Sequence, residues 1–167
     1  MSCGSRRAAA ALVAAALLGP VAAAERAPPI EIEADTVDVD ARAGVSVYEG
    51  DARMTRGAMR ITGDRMEVHT HDDGELSHIL VDGTPATYRD HPEGQPAPIE
   101  AEARHMAYFA RDPERARFEG DARLWQRDDE VTAHTIEVNL ETRTMQAEGR
   151  EGERARTILY PGRRDEP

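Results

Sequence analysis

The sequence contains no lysine, one cysteine and few aromatic residues. Cys3 lies in an N-terminal leader that is expected to be removed, so the mature chain would contain no cysteine and could form no disulfide. Aromatic residues make up only 4% of the chain. A core must therefore be built mainly from Val, Ile, Leu, Met and Ala, and held together by packing and hydrogen bonds.

Positive charge is also scarce. All 21 basic residues are arginines, against 32 acidic residues. Without Arg6 and Arg7 of the leader, 19 arginines face 32 acids, which is a net charge of about −13. This balance argues against a nucleic-acid partner, because the phosphate backbone requires a basic surface. It also argues against simple electrostatic adsorption to an anionic membrane.

The first residues form a leader. A basic start is followed by a run of small apolar residues from Ala8 to Ala24, after which Glu25 and Arg26 are charged. This pattern predicts a secretory signal peptide over residues 1–24, cut after Ala24. An uncleaved anchor is the alternative, but the run is short and poor in large apolar residues. The rest predicts one domain over residues 25–161 and a short tail over 162–167.

Apolar residues alternate with polar ones along most of the chain. In IEIEADTVDVD, Ile30, Ile32 and Ala34 occupy one phase, whereas Val37 and Val39 occupy the other. A phase change of this kind predicts two short strand segments joined at a bulge or bend. Similar alternation recurs about every ten residues between Gly- and Asp-containing turn signals, which predicts an all-β sandwich, roll or barrel. No convincing amphipathic helix follows the leader.

One stretch of sequence occurs twice. YEGDARM and the residues after it, Tyr48 to Val68, align without a gap with FEGDARL and its sequel, Phe118 to Val138. Upstream, EADTV at Glu33 to Val37 corresponds to EARHM at Glu102 to Met106 when one extra residue is allowed in the turn of the second copy. The repeat predicts one β-unit used twice, with each copy burying its apolar face against the other. The glycine of each EGD is expected to let the backbone bend in mid-strand.

The order of these motifs carries a resemblance to a known family. The motifs are IEADTVDVD, YEGDARM, RITGDRMEV, VDGTPATY, AEARHMAYF, FEGDARLW, VTAHTIEVNLETRTMQAEG and TILYP. Together they resemble the LptA (OstA-like) family of periplasmic lipopolysaccharide transport proteins, from about Ile30 to Pro161. LptC and the N-terminal domain of LptD share this fold and are rival identities within the group. The chain departs from the pattern in its acidic, lysine-free surface and short tail, which leaves the strength of self-association open.

The resemblance implies an all-β fold, an antiparallel β-jellyroll that is open along one side and built from two repeated β-units. It also implies a non-enzymatic carrier, without a cofactor, whose apolar interior holds the acyl chains of lipid A from lipopolysaccharide. For any single one of these residues, filling a closed core is the more ordinary role, so the expectation concerns the set. The residues expected on the lipid-binding inner face are Ile30, Ile32, Tyr48, Met54, Ile61, Met66, Val68, Tyr88, Tyr108, Phe118, Leu124, Val131, Ile136 and Val138.

The same resemblance implies partners at the two strand edges. An LptC-like inner-membrane protein would join the N-terminal strand near Ile32 and Ala34. An LptD-like outer-membrane protein would join the C-terminal strand, Thr157 to Tyr160, which includes Ile158. Head-to-tail self-association would use the same edges, because such end contacts do not close. Charged residues beside these strands are equally explicable as protection against aggregation.

Two other groups of residues resemble functional sites but have ordinary surface roles as alternatives. HTHDD at His69 to Asp73, with His78 nearby, has the residue types of a metal site, but a solvated turn is the favoured explanation and no metal site is predicted. Trp125 is expected on the outer face. The alternative function is a periplasmic carbohydrate-binding or carbohydrate-active β-roll, which would need a polar cleft with two carboxylates or exposed aromatic residues. No two acidic residues stand out for that role, so no catalytic residue is predicted.

Overall fold

A computed structural model describes residues 28–161. Within this range the chain is all β, as the alternation predicts, and no helix is long or apolar enough to cross a membrane. The predicted signal peptide, with its cut after Ala24, and the tail at 162–167 lie outside the described residues. The strands are β1 (Glu31–Glu33), β2 (Thr36–Asp40), β3 (Val45–Arg56), β4 (Met59–Thr70), β5 (Leu76–Asp90), β6 (Ile99–Phe109), β7 (Arg115–Gln126), β8 (Asp129–Asn139), β9 (Thr144–Glu148) and β10 (Arg156–Ile158).

All ten strands belong to one antiparallel sheet, and β3 to β8 follow each other in chain order. At the N-terminal edge, β1 and β2 both pair with β3, so they act as one interrupted strand. At the C-terminal edge, β9 and β10 both pair with β8 in the same way. Among the described residues the two edges do not pair with each other, so the sheet is open rather than closed.

A line of bulges crosses the sheet, which we call the crease. Every pairing from β3–β4 to β7–β8 shifts register in mid-strand, for example between Glu49 and Ala52 and between Glu119 and Ala122. The crease also falls between β1 and β2, where the sequence predicts a bend. It divides the sheet into two parts. Half A comprises the strand residues within 36–49, 65–82, 105–119 and 135–148, and half B those within 31–33, 52–62, 86–102, 122–132 and 156–158.

The repeated EGD motifs form equivalent points of the crease. Gly50 and Asp51 have φ angles of +82° and +44°, and Gly120 and Asp121 have φ angles of +81° and +53°. Two consecutive residues with positive φ produce the bulge, and glycine adopts this conformation without the steric cost that other residues incur. The prediction that each EGD glycine bends its strand is therefore confirmed.

Small residues line the inner side of the crease. Ala52 pairs with Gly63, and Ala86 with Ala103. The three alanines are almost completely buried. Because a sharp bend brings neighbouring strands close together on its inner side, larger side chains would not fit there. The crease thereby allows half A and half B to fold over each other with the core between them.

Candidate functional site

The inner face is formed by rows of residues that are direct partners across neighbouring strands. One row in half A, next to the crease, is apolar from one edge of the sheet to the other. We call it row 1. Its members are Val37, Tyr48, Met66, Val81, Met106, Phe118, Ile136 and Ala147.

Two further rows continue the same face. Row 2 lies in half A, farther from the crease, and Ser46 is its one polar member apart from the tyrosine hydroxyl: Val39, Ser46, Val68, Ile79, Tyr108, Ala116, Val138 and Met145. Row 3 lies in half B and ends on a threonine: Ile32, Met54, Ile61, Tyr88, Ala101, Leu124, Val131 and Thr157. The three rows together form an apolar lining that spans the whole sheet.

The structure brings thirteen of the fourteen residues expected on the inner face into these rows. The exception is Ile30, which precedes β1 and is exposed beside Pro28 and Leu76 at the end of the roll. Ile32, Tyr48, Leu124 and Val138 are half-buried, and the other nine are buried. Their contact with acyl chains stays a prediction.

Sequence reasoning missed several members of the rows, notably Val37, Val39, Val81, Met106 and Met145. Val37 and Val39 are out of phase with Ile32, but the crease between β1 and β2 turns both segments toward the same face. The repeat contained the signal, since it aligns Val37 with Met106, and both pair with the aromatic residue of their EGD motif. The rule that alternate residues share a face fails wherever a strand crosses the crease.

The two halves pack tightly in the middle of the roll. The Tyr88 ring in half B meets the Phe118 ring in half A edge-on, with centroids 5.6 Å apart. Met54, Ile61 and Ile136 have no solvent-accessible surface. The interior between the halves is thus filled at mid-length, and open space lies nearer its ends.

Two open pockets lie where the free ends of half A and half B meet, on the side opposite the crease. We call this side the slot. The first pocket, of about 420 Å³, is at the N-terminal end of the slot and is lined by Pro28, Ile30, Arg56, Glu75, Leu76, Ala110 and Arg111. The second, of about 350 Å³, is nearer the C-terminal edge, and its lining includes Asp90, Ile99, Glu114, Leu124, Val138 and Met145.

A polar chain joins the two sides of the slot. Arg56 Nη1 at the end of β3 donates a hydrogen bond of 3.3 Å to the Tyr108 hydroxyl oxygen in β6, and this hydroxyl donates to Glu114 Oε1. Burial raises the pKa of the Tyr108 hydroxyl, and its bond to Glu114 raises it further, so the phenol stays protonated as a donor.

A second tyrosine and carboxylate lie within half B. The Tyr88 hydroxyl donates to Asp90 Oδ2 at 3.5 Å along the same strand. Partial burial raises the pKa of the Asp90 carboxyl, and the charge of Glu114 adds to the effect. Asp90 and Glu114 both line the second pocket. The second pocket is therefore lined by two carboxylates, which the sequence did not single out.

On the outer face, side chains of four adjacent strands form a ladder. His69 stacks on His78 with ring centroids 4.2 Å apart, and His78 stacks on Phe109 at 5.8 Å, with Arg115 over the Phe109 ring. His69 Nε2 lies 2.7 Å from Glu67 Oε1. Partial burial lowers the pKa of His78, as does the neighbouring His69.

The predicted turn at His69 to Asp73 begins later than expected. His69 and Thr70 belong to β4, and only the residues after them form the turn. Among residues 28–161, no group of His, Cys, Asp or Glu side chains is arranged to hold a metal ion. Trp125 lies on the outer face as expected, where its Nε1 donates to Glu100 Oε2 at 2.9 Å.

The edge strands differ partly from the sequence prediction. β10 runs from Arg156 to Ile158, so the predicted C-terminal strand, Thr157 to Tyr160, starts one residue too late and ends two residues too late. Tyr160 lies beyond the strand, and its backbone N–H donates to Asp129 Oδ1 at 2.8 Å. Ala34 lies in the gap between β1 and β2 rather than in a strand.

The apolar rows end in solvent at both edges of the sheet. Val37 and Val39 in β2 are 50% and 65% exposed, and Met145 in β9 is 46% exposed. Strand β2, which carries Val37 and Val39, lies at the N-terminal end of half A. Arg56 and Tyr88 of half B contact half A strands two or three positions further along. This stagger leaves the first half A strands uncovered.

Comparisons with known proteins agree on one family. The family model described as LptA/(LptD N-terminal domain) LPS transport protein matches residues 31–144. The lipopolysaccharide export system protein LptA of Escherichia coli K12 is 31% identical over 157 residues, which are 92% of this chain and 82% of that protein. The lipopolysaccharide export system protein LptH of Pseudomonas aeruginosa is 34% identical over 74 residues, which are 44% of this chain and 40% of that protein.

A solved structure supports the fold. The crystal structure of Pseudomonas aeruginosa LptH, described as the LptA homologous periplasmic component of the conserved lipopolysaccharide transport device, superposes with a TM-score of 0.73. The superposition covers 80% of this chain and 96% of that one at 22% sequence identity. The predicted open, antiparallel β-jellyroll is thereby confirmed.

Proposed function

The chain belongs to the LptA/LptD N-terminal domain family of lipopolysaccharide transport proteins, and on this premise we propose that it is a periplasmic carrier that shields the acyl chains of lipid A. It also links inner-membrane to outer-membrane transport components, and it acts without catalysing a reaction or holding a cofactor. The periplasmic location is proposed from the leader at residues 1–24 and from the description of LptH as a periplasmic component.

The observation that carries the proposal is the apolar lining that runs from edge to edge and ends exposed at both edges. Rows 1 to 3 cross the whole sheet almost without a polar side chain. An acyl chain of about 12 carbons costs on the order of 10 kcal/mol to expose to water, at about 0.8 kcal/mol per CH₂ group. A carrier therefore needs a continuous apolar surface, and a bridge needs that surface to continue into its neighbours.

Strand addition at the two edges supplies this continuity. The interrupted strand β1/β2 would pair with an LptC-like inner-membrane protein, and β9/β10 with an LptD-like outer-membrane protein. A second copy of this chain could add head-to-tail in the same way, because the edges are different and do not close on themselves. In each case the partner's inner face would cover Val37 and Val39 or Met145.

A carbohydrate-binding or carbohydrate-active β-roll is the second candidate. It is favoured by one observation, that Asp90 and Glu114 both line the pocket of about 350 Å³. Against it, Glu114 already accepts the Tyr108 hydroxyl. Trp125 is also engaged, since its indole N–H is bonded to Glu100 and the Arg123 guanidinium lies 4.9 Å from its ring.

Site-specific photo-crosslinking tests the carrier function. A photoreactive phenylalanine analogue is placed at Val138 or Met145, which face the inside, and at their chain neighbours Glu137 and Gln146, which pair with each other on the outer face. Cells producing these variants are irradiated, and adducts are detected with an antibody against lipopolysaccharide. Adducts at the two inner positions but not at the two outer ones are expected.

Equal labelling of inner and outer positions would contradict a groove that holds acyl chains, as would no labelling at any position. The carbohydrate alternative is tested on the same samples. An adduct that carries soluble oligosaccharide without lipid at Val138 would favour that alternative. Loss of such an adduct in Asp90→Asn would locate its site at the second pocket.

A further inference from the structure

The slot is the part of the roll through which a ligand could enter the interior sideways. The crease closes the opposite side, and the strand turns of half A and half B face each other only here. At mid-length the interior is already filled by side chains such as Met54, Ile61 and Ile136. Acyl chains can therefore occupy the middle of the interior only if the two halves move apart along the slot.

The contact that joins the two halves at the slot itself is polar. Arg56 belongs to half B and Tyr108 to half A, and they are 52 residues apart in sequence. The Tyr108 hydroxyl accepts from Arg56 and donates to Glu114 in the turn after β6, so both of its hydrogen-bonding capacities are used. Arg56 and Glu114 are half-buried, so water can replace either of them when the contact opens.

The position of this chain along the slot is also informative. Arg56 lines the N-terminal pocket, and Glu114 lines the pocket nearer the C-terminal edge. The chain thus stands between the two open spaces and divides the slot in two. A ligand that passes from one pocket to the other along the slot must pass this point.

We propose that Arg56, Tyr108 and Glu114 form a latch that holds the slot closed at mid-length and opens to admit the acyl chains of an anionic amphiphile sideways. This inference rests on the proposed function, because it concerns how the proposed ligand reaches the interior. An opening step limits the rates of loading and unloading equally. Weakening the latch therefore accelerates both and leaves the equilibrium affinity nearly unchanged.

The test uses Tyr108→Phe and a matched control, Tyr88→Phe. Both substitutions delete one phenol oxygen from a buried tyrosine on the inner face. The Tyr88 hydroxyl bonds to Asp90 in its own strand, whereas the Tyr108 hydroxyl joins the two halves. Stopped-flow fluorescence with labelled lipopolysaccharide gives the association and dissociation rates. In Tyr108→Phe both rates should rise roughly five-fold or more, the effect expected for loss of a hydrogen bond to a charged group, with Kd changed less than about two-fold.

Tyr88→Phe keeps the ring contact with Phe118 and removes only a bond within half B, so it should not raise the two rates together. Unchanged rates in Tyr108→Phe, or a change in Kd with only one rate affected, would overturn the latch. If Tyr108→Phe does not fold, Arg56→Met removes the same contact from the other side and is judged by the same criteria. Circular dichroism and thermal unfolding establish that each variant is folded before its rates are compared.

Failure of the latch can be separated from failure of the proposed function. If the wild type binds no lipopolysaccharide, the carrier proposal fails. The latch is then judged with N-phenyl-1-naphthylamine, a small apolar probe whose fluorescence rises in apolar surroundings. Faster uptake of this probe by Tyr108→Phe than by Tyr88→Phe supports the latch, and equal uptake overturns it.

Discussion

Gly63 in β4 lies so close to Val81 in β5 that a Cβ atom at position 63 would be 2.4 Å from Val81 Cγ1 and 2.7 Å from the Asp82 carbonyl oxygen. Both distances are far below van der Waals contact. Gly63 pairs with Ala52 at the crease, where the strands bend toward each other on the inner face. The absence of a side chain at this position is what allows β4 and β5 to bend together.

Gly63→Ala should therefore destabilise the fold. Because one of the clashing atoms is a backbone oxygen, the strands themselves must move, and we expect a loss of about 1–3 kcal/mol in the free energy of unfolding. Urea unfolding measures it. Val81→Ala alone lowers the free energy of unfolding, because Val81 is buried in the core. In the Val81→Ala background, Gly63→Ala should cost less than in the wild type but still destabilise, since the carbonyl remains. No further loss in that background would show that the side chain, not the backbone, sets the limit.

The repeat and the alternation predicted more of the fold than of the site. Alternation depends on which residues share a face of a strand, and this local property placed residues such as Ile61, Phe118 and Ile136 inside. The repeat aligned EGD with EGD, and both motifs form the same bulge. Local pattern cannot state which strand of half B lies over which strand of half A. The contact of Arg56 with Tyr108 depends on that stagger and was not predictable.

The edges were predicted less accurately for a related reason. An edge strand has a partner on one side only, so its ends depend on a few contacts rather than on a full ladder. The bond from the Tyr160 N–H to Asp129 replaces strand pairing just after Ile158, and alternation carries no signal for it. Val37 and Val39 were missed because the crease reverses the phase between β1 and β2.

The two EGD glycines are equivalent in backbone conformation but not in surroundings. A Cβ atom at Gly50 would be 2.3 Å from Asp35 Oδ2 and 2.8 Å from Asp35 Cβ, whereas at Gly120 the nearest atom, Arg104 Cβ, would be 3.1 Å away. Either alanine substitution should lower the free energy of unfolding by about 1 kcal/mol, because alanine is strained at a positive φ angle. Gly50→Ala should cost more than Gly120→Ala in thermal unfolding. Equal losses of stability would mean that the edge segment carrying Asp35 moves aside without cost.

Asp90→Asn should stabilise the protein at neutral pH. Burial raises the pKa of Asp90 above its unfolded value, so between these two values the folded state holds more protons than the unfolded state. The free energy of unfolding contributed by this group then falls as pH rises through that window. Asparagine is uncharged, so it removes the destabilisation that the buried carboxylate causes at pH 7. Its side-chain oxygen can still accept the hydrogen bond that the His91 N–H donates to Asp90 Oδ1.

The measurement for Asp90→Asn is the melting temperature as a function of pH. The variant should melt above the wild type at pH 7, and the difference should shrink toward pH 3, where Asp90 is protonated in both states. A lower melting temperature at pH 7 would show that the carboxylate's bonds outweigh its burial.

His78→Phe should reduce the sensitivity of the fold to mild acid. The pKa of His78 is lowered in the folded state, mainly by burial and also by His69 and His71, with Glu67 acting in the opposite direction. Below the unfolded value near 6.5, the unfolded state therefore binds more protons, and the free energy of unfolding falls until pH reaches the folded pKa. Phenylalanine can keep the stack between His69 and Phe109. As pH is lowered from 7.5 to 5, the melting temperature of the variant should fall less than that of the wild type. A constant difference between the two melting temperatures would contradict the assignment.

Aspartate at Val37 and Val39 should abolish pairing at the N-terminal edge while leaving the fold intact. Both side chains are already largely exposed, so the isolated protein has little apolar burial to lose. In a complex they would be covered, and a carboxylate buried without a partner strongly opposes association. Leu80→Asp is the matched control, because Leu80 is 39% exposed on the outer face of an inner strand. Sedimentation velocity for self-association, and capture of an LptC-like periplasmic domain, should both show loss of binding for the edge variant alone. Loss of binding in Leu80→Asp as well would place the contact on the outer face. Unchanged binding in the edge variant would mean that the apolar rows do not continue into a partner.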